Sequence, residues 1–307
     1  MRNAFANEVT ELAKNDKRIV LLSGDIGNKL FDDFKKVDSD RFYNCGVAEA
    51  NMMGVAAGMA LSGFRPVIYT ITPFTTTRCF EQIRVDVCYH QAPVIIVGTG
   101  SGLSYAELGP THHSLEDLAI LRTLPGLSVL APCDAVEMRL ALRAALQQNN
   151  PVYIRIGKKG EPVIHTTLPH FEIGKSITVR QGNHVVLLTA GTMMPEALKA
   201  ADLLEGKGIS TEVVSMHSIK PLDGAYLSLA AKRFECIVTI EEHGLIGGLG
   251  SAVSEWYIRN NIHAAQINFG TPDEFMHEIG SQDYAREKYG LTAENIAANI
   301  VVRLNRI

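Results

Sequence analysis

The chain has 307 residues, 46% of them hydrophobic, with 33 acidic against 29 basic side chains and a formal net charge of -4. That length suits about two domains, each able to bury its own core, and the charge balance excludes the broad basic field of a nucleic-acid or anionic-membrane binder. With no apolar run near the roughly 20 residues of a bilayer span and no signal-peptide core at the N-terminus, a cytoplasmic protein acting on a small solute is expected.

In chain order, short Val- and Ile-rich runs alternate with helical patterns, the rhythm of parallel sheets covered by helices. Residues 4–14 read as a helix and 19–23 as a strand; 48–61 is helical, 66–69 a strand, 77–89 helical and 94–98 a strand. A strand at 128–131, a helix at 135–147 led by Asp134 as N-cap, and a strand at 152–156 follow. The strands carry apolar residues at successive positions, as expected where both faces of a sheet are covered. Glycines, prolines and histidines without a period between 157 and 174 mark a boundary. The expected division is a first domain at 1–160, a linker at 161–176 and a second domain at 177–307. In the second domain strands fall at 185–189, 211–215, 236–241 and 265–269, with helices at 194–205, 248–260 and 293–304. The fold class is therefore α/β, with two parallel-sheet αβα sandwich domains.

The stretch GVAEANMMGVAAGMA, residues 46–60, sets Glu49 at the mouth of a small, apolar helix. A carboxylate with few polar neighbours has its pKa raised by burial and can trade protons near neutrality; the other reading is a helix-start carboxylate that complements the macrodipole. Five cysteines, Cys45, Cys79, Cys88, Cys133 and Cys236, are odd in number and form no CxxC pair, which argues against a disulfide framework or a zinc site, so they read as reduced packing residues.

Four motifs in order, DRFYNCGVAEANM, TPFTTTRCFEQIR, GPTHHSLEDLAILRTLPG and PVYIRIGKK, lie between Asp40 and Lys159, and EEHGLIGGLG follows in the second half. Over nearly its whole length the chain resembles the C-terminal half of transketolases and deoxyxylulose-phosphate synthases. The resemblance implies a pyrimidine-binding domain of a thiamin diphosphate enzyme followed by a transketolase C-terminal domain. It implies that Glu49 hydrogen-bonds the aminopyrimidine ring of the coenzyme and so promotes removal of the thiazolium proton.

The same resemblance places Phe74 and Phe80 as candidate aromatic walls for the pyrimidine, where core packing is the other reading. His112 matches the family's loop histidine, which faces the reacting carbonyl, and His113 stands beside it. Arg155 aligns with a phosphate-holding arginine, the alternative being a solvated basic turn with Lys158 and Lys159. Asp25 resembles a cofactor-side aspartate, against an Asx turn.

Two positions depart from the pattern of ordinary sugar-phosphate transketolases: Leu108 stands for an aspartate that bonds a substrate hydroxyl, and Gly100 for a phosphate-contacting histidine. The family's diphosphate-binding motif, GDG with a downstream asparagine, has no counterpart in its proper context, so no metal ligand is assigned to this chain. The expectation is a beta subunit of a split transketolase that moves a two-carbon ketol unit from a ketose to an aldose. A separate N-terminal (alpha) subunit would hold the thiamin diphosphate phosphates and Mg2+ in an alpha2beta2 assembly. The rival readings are the beta subunit of a 2-oxo acid dehydrogenase E1 component and a non-catalytic scaffold.

Overall fold

A computed structural model describes residues 1–27 and 29–305. Among the described residues twelve strands run in chain order: β1 (Ile19–Ser23), β2 (Phe42–Asn44), β3 (Arg65–Ile71), β4 (Ile95–Thr99), β5 (Ser128–Leu130), β6 (Val152–Ile156), β7 (Ile177–Arg180), β8 (Val185–Thr189), β9 (Thr211–Ser215), β10 (Ser218–Lys220), β11 (Cys236–Gly244) and β12 (Gln266–Thr271). They form a seven-stranded sheet in the order β10-β5-β6-β4-β3-β1-β2 and a five-stranded sheet in the order β12-β11-β8-β9-β7. β1, β3, β4, β6, β8 and β9 are buried along their whole length, which is why apolar residues stand at successive positions in them rather than only at alternate ones.

Both sheets are parallel except at one edge: β10 runs antiparallel to β5, and β7 antiparallel to β9. Neither edge strand is expected from the sequence, because three- and four-residue strands carry too little periodicity to stand out. β10 comes from the second half of the chain and completes the first sheet, so the two halves are stitched together as well as packed.

Asp134 caps its helix as expected, its carboxylate accepting from the backbone N–H groups of Val136 (2.9 Å) and Glu137 (2.8 Å). The single helix expected over 77–89 is instead a 3-10 turn (Thr77–Cys79), one α turn (Phe80–Gln82) and a π-helical stretch (Ile83–Tyr89). At its start the hydroxyls of Thr75 and Thr76 donate to the Thr72 carbonyl and that of Thr77 to the Pro73 carbonyl, competing with regular helix bonding.

The parallel register brings the ends of β1, β3, β4 and β6 to one edge, with Ser23 beside Tyr69, Ile71 beside Thr99 and Thr99 beside Ile156. Loops that leave this edge carry the candidate site, as carboxyl-end loops do in open α/β sheets. The second domain docks there through the buried Glu242 of β11, whose carboxylate accepts from the Leu103 N–H at 2.7 Å and pairs with Arg286. Among the described residues no helix is long and apolar enough to cross a membrane.

Candidate functional site

Glu49 opens the helix Glu49–Leu61 and is 3% exposed. The turn before it is built from polar groups: Asn44 Nδ2 donates to Asp25 Oδ1 at 3.1 Å, and the Gly46 N–H donates to Asn44 Oδ1 at 3.0 Å. Asp25 thus lies at the edge that carries Glu49, as part of the turn that delivers it. Beneath the carboxylate the backbone comes close: a Cβ at Gly24 would lie 3.1 Å from Thr70 and 3.3 Å from Glu49 Cγ. The Thr70 hydroxyl is buried there without a partner.

The apolar flanks of Glu49 predict a carboxylate with few polar partners, and here the structure differs. Arg78 Nη1 donates to Glu49 Oε2 at 2.9 Å, with the arginine side chain 43% exposed and the glutamate 2%. Sequence reasoning misses this arginine, 29 residues away and inside the TPFTTTRCFEQIR motif; no spacing rule pairs such distant positions, and only the motif draws attention to its segment. The guanidinium also lies over the Phe74 ring, 4.1 Å from its centroid, an attraction between a cation and an aromatic face.

Phe74 is held on a short turn (Thr72–Thr75) with Pro73 at its first positions, anchored by the Thr72 hydroxyl on the Thr99 carbonyl. His112 packs edge-on to Phe74 (centroids 5.2 Å apart) and to Tyr105 (6.0 Å). Glu49, Arg78, Phe74, His112 and Tyr105 therefore form one continuous row. Phe80 sits elsewhere, packed against the core cluster that contains Met52, Met53 and Ile83.

The adjacent histidines part company. His112 is partly exposed on the row, its Nδ1 3.0 Å from the Thr111 hydroxyl; burial first and the Arg78 charge second hold its imidazole below the ordinary value. His113 is 5% exposed, its Nε2 has no partner, and it lines a cleft of about 410 Å³ with Leu115, Gly244, Thr271, Phe275 and Met276.

Arg155, on β6, is sealed. Its Nε donates to Asp117 Oδ2 at 2.9 Å, and its Nη2 to the carbonyls of Ser114 and Glu242, each at 2.9 Å; both partners of the ion pair are 1% exposed. It joins the GPTHH loop to both domains, and these bonds occupy Nε and Nη2, so neither is free to meet a substrate anion.

The two departures from the family pattern lie side by side. Gly100 has a positive φ of 77°, and a Cβ there would come within 2.0 Å of the Tyr105 ring, so Tyr105 fills the space that a side chain at position 100 would need. Lys158 Nζ lies over that ring, 4.4 Å from its centroid, and pairs with Glu107. Leu108, 48% exposed, ends the same short turn.

The transketolase pyrimidine-binding domain matches residues 1–161, and the transketolase C-terminal domain residues 174–296. This chain belongs to the transketolase family. It is 37% identical to an apulose-4-phosphate transketolase subunit from Phocaeicola vulgatus, over 96% of this chain and 94% of that one. It is also 37% identical to the 6-deoxy-6-sulfo-D-fructose transketolase subunit of a Clostridium species, over 96% and 92%. A solved structure described as a split gene transketolase, inactive beta4 tetramer, superposes with a TM-score of 0.90 at 36% identity, covering 99% of this chain and 97% of that one. These likenesses favour a transketolase subunit over a 2-oxo acid dehydrogenase component or a scaffold.

Proposed function

We propose that the chain is the C-terminal subunit of a split, thiamin diphosphate-dependent transketolase that moves a two-carbon ketol unit from a ketose to an aldose. The observation that carries this is the buried Glu49 carboxylate at the mouth of its helix, paired with the Arg78 guanidinium that lies over the Phe74 ring, with the unpartnered Thr70 hydroxyl beneath it. These groups fit the pyrimidine end of the coenzyme: Glu49 for its ring nitrogen and Phe74 for its flat face, with Asp25 keeping the Glu49 turn in place. When bound, the coenzyme supplies the carbon nucleophile that takes up the ketol unit.

The chain's own part is to bind, orient and handle protons. Glu49 holds or releases a proton at the pyrimidine nitrogen. Oε1 takes no part in the ion pair with Arg78, so an approaching ring can meet it while the pair persists. His112, its pKa held down by burial and Arg78, exchanges a hydrogen bond with a substrate oxygen, and His113 faces the neighbouring cleft. Arg155 is left out of this assignment because its Nε and Nη2 are occupied.

Diphosphate and Mg2+ are assigned to a separate N-terminal subunit in an alpha2beta2 enzyme. In support, Val47 beside Glu49 is 76% exposed and Tyr43 is 42% exposed, apolar surface that a partner would cover. The two relatives are named for apulose 4-phosphate and 6-deoxy-6-sulfo-D-fructose, a phosphorylated and a sulfonated sugar, and we extend that substrate class to this chain. Five free cysteines are consistent with a reducing, cytoplasmic setting.

The test is reconstitution. This chain is mixed with a neighbouring gene product that carries GDG and the downstream asparagine, then supplied with thiamin diphosphate, Mg2+ and a panel of phosphorylated and sulfonated ketoses with an aldose acceptor. Ketol transfer is expected only when both chains are present. Turnover by this chain alone, or none with any donor in the mixture, would overturn the proposal.

A further inference from the structure

Past the carboxyl end of β5, along the sheet from Glu49, three side chains of metal-ligating type meet where the first domain, the connecting segment and the second domain touch. Cys133 precedes the helix Ala135–Gln147, Glu137 lies in that helix's first turn, and His165 belongs to the connecting segment. Their ligand atoms all lie within 4.8 Å of one another. Cys133 Sγ is 3.9 Å from His165 Nε2, and His165 Nε2 is 2.9 Å from Glu137 Oε1. Cys133 is 1% exposed, Glu137 0%, and the His165 side chain 9%.

Metal–ligand bonds of about 2.3 Å to sulfur and about 2.0–2.2 Å to nitrogen and oxygen put tetrahedral neighbours about 3.6 Å (S to N) and about 3.3 Å (N to O) apart. The two measured separations bracket these values. The third pair, Cys133 and Glu137, lies within 4.8 Å; closing the three donors to tetrahedral spacing would admit an ion, and the His165–Glu137 hydrogen bond is the contact it would replace.

The surroundings hold the ligands in place. Asp134 Oδ2 accepts from the backbone N–H groups of Ile164 (2.8 Å) and His165 (3.0 Å), fixing the segment that carries the histidine. Glu137 Oε2 accepts from the Cys133 N–H (2.8 Å) and the Ser215 hydroxyl (3.0 Å), which leaves Oε1 directed at the histidine. A second, independent feature lies beside them. His217, two residues beyond Ser215, is 0% exposed, stacks on Phe171 at 4.0 Å, and has no partner at either ring nitrogen. A buried imidazole with two unmet nitrogens is costly unless something satisfies it.

We propose that Cys133, Glu137 and His165 form a three-ligand site for a divalent transition-metal ion of the zinc and cobalt class, with the fourth position taken by a water or another small ligand. A thiolate, an imidazole and one carboxylate suit a borderline-soft ion and not Mg2+, whose preference is for oxygen ligands. Binding displaces the Cys133 thiol proton to solvent and leaves His165 neutral at Nε2, so affinity falls in acid. Because the ligands come from the first domain and the connecting segment, with Ser215 of the second domain on Glu137, occupancy fastens three parts of the chain together.

The experiment uses the full-length chain, stripped with a chelator and titrated with Co2+. One equivalent is expected to bind, with a thiolate-to-cobalt charge-transfer band and visible d–d bands of a tetrahedral ion; excess Zn2+ should displace it and raise the thermal midpoint. Cys133→Ser should remove the charge-transfer band and weaken binding at least tenfold. His165→Gln should weaken binding by a similar factor and serves as the test should the serine variant fail to fold. No saturable uptake, or an unchanged charge-transfer band in Cys133→Ser, would overturn the proposal.

Discussion

Two carboxylate–arginine pairs lie on the same domain and meet opposite fates. Glu49–Arg78 has one buried and one half-open partner, 2% and 43% exposed, whereas Asp117–Arg155 is closed on both sides at 1% and 1%. In the sealed pair Tyr153 donates a further 2.6 Å hydrogen bond to Asp117, and two carbonyls accept from Arg155. Burial raises the Asp117 pKa and Arg155 opposes it; the balance keeps the carboxyl below its ordinary value. The open pair can exchange partners while the sealed one cannot, and this separates a group suited to chemistry from one suited to holding a loop in place.

The largest effect that would break this comparison is on turnover. Glu49→Ala in the reconstituted enzyme should lower turnover by at least about 10²-fold, with the unfolding midpoint and partner binding little changed; activity near wild type would remove Glu49 from its role. Next comes the sealed pair. Asp117→Leu leaves Arg155 charged and buried, and should cost about 3–5 kcal/mol in urea unfolding, whereas a loss below about 1 kcal/mol would mean that the pair holds nothing. The smallest effect sharpens the contrast. Arg78→Met leaves the buried Glu49 carboxylate without its cation on a side that is half open to water, and should cost about 1–3 kcal/mol, less than Asp117→Leu. It should also raise the His112 pKa by removing a neighbouring cation, as followed by NMR titration; an unmoved or lowered His112 would show that the guanidinium does not act on that ring.

Much of this frame is legible in the order of residues. Strands β6, β8 and β9 and the helices Ala135–Gln147, Met194–Glu205 and Ala293–Leu304 have the bounds expected from their patterns, because long apolar runs and clear caps declare themselves locally. The short strands β2, β7 and β10 do not, and the Thr75–Thr77 hydroxyls hide a break inside an apparently regular helix. Within the site, Glu49, Phe74 and His112 stand out from their motifs and lie on one row. Phe80 stands out by the same reasoning and packs into the core, since type and spacing alone do not distinguish an aromatic that faces a cleft from one that faces a helix.

The alternation of strand and helix, the two-part division and the family are fixed along the chain itself, because each rests on local patterning or on motif order. Folding in three dimensions was needed to show that Arg78 answers Glu49, that Tyr105 occupies the room left by Gly100, that Arg155 is enclosed, and that Cys133, Glu137 and His165 converge. Each of these joins residues remote in sequence or depends on which way a side chain turns. Packing settles such matters, because the free energy of a charged or aromatic group depends on what surrounds it in space.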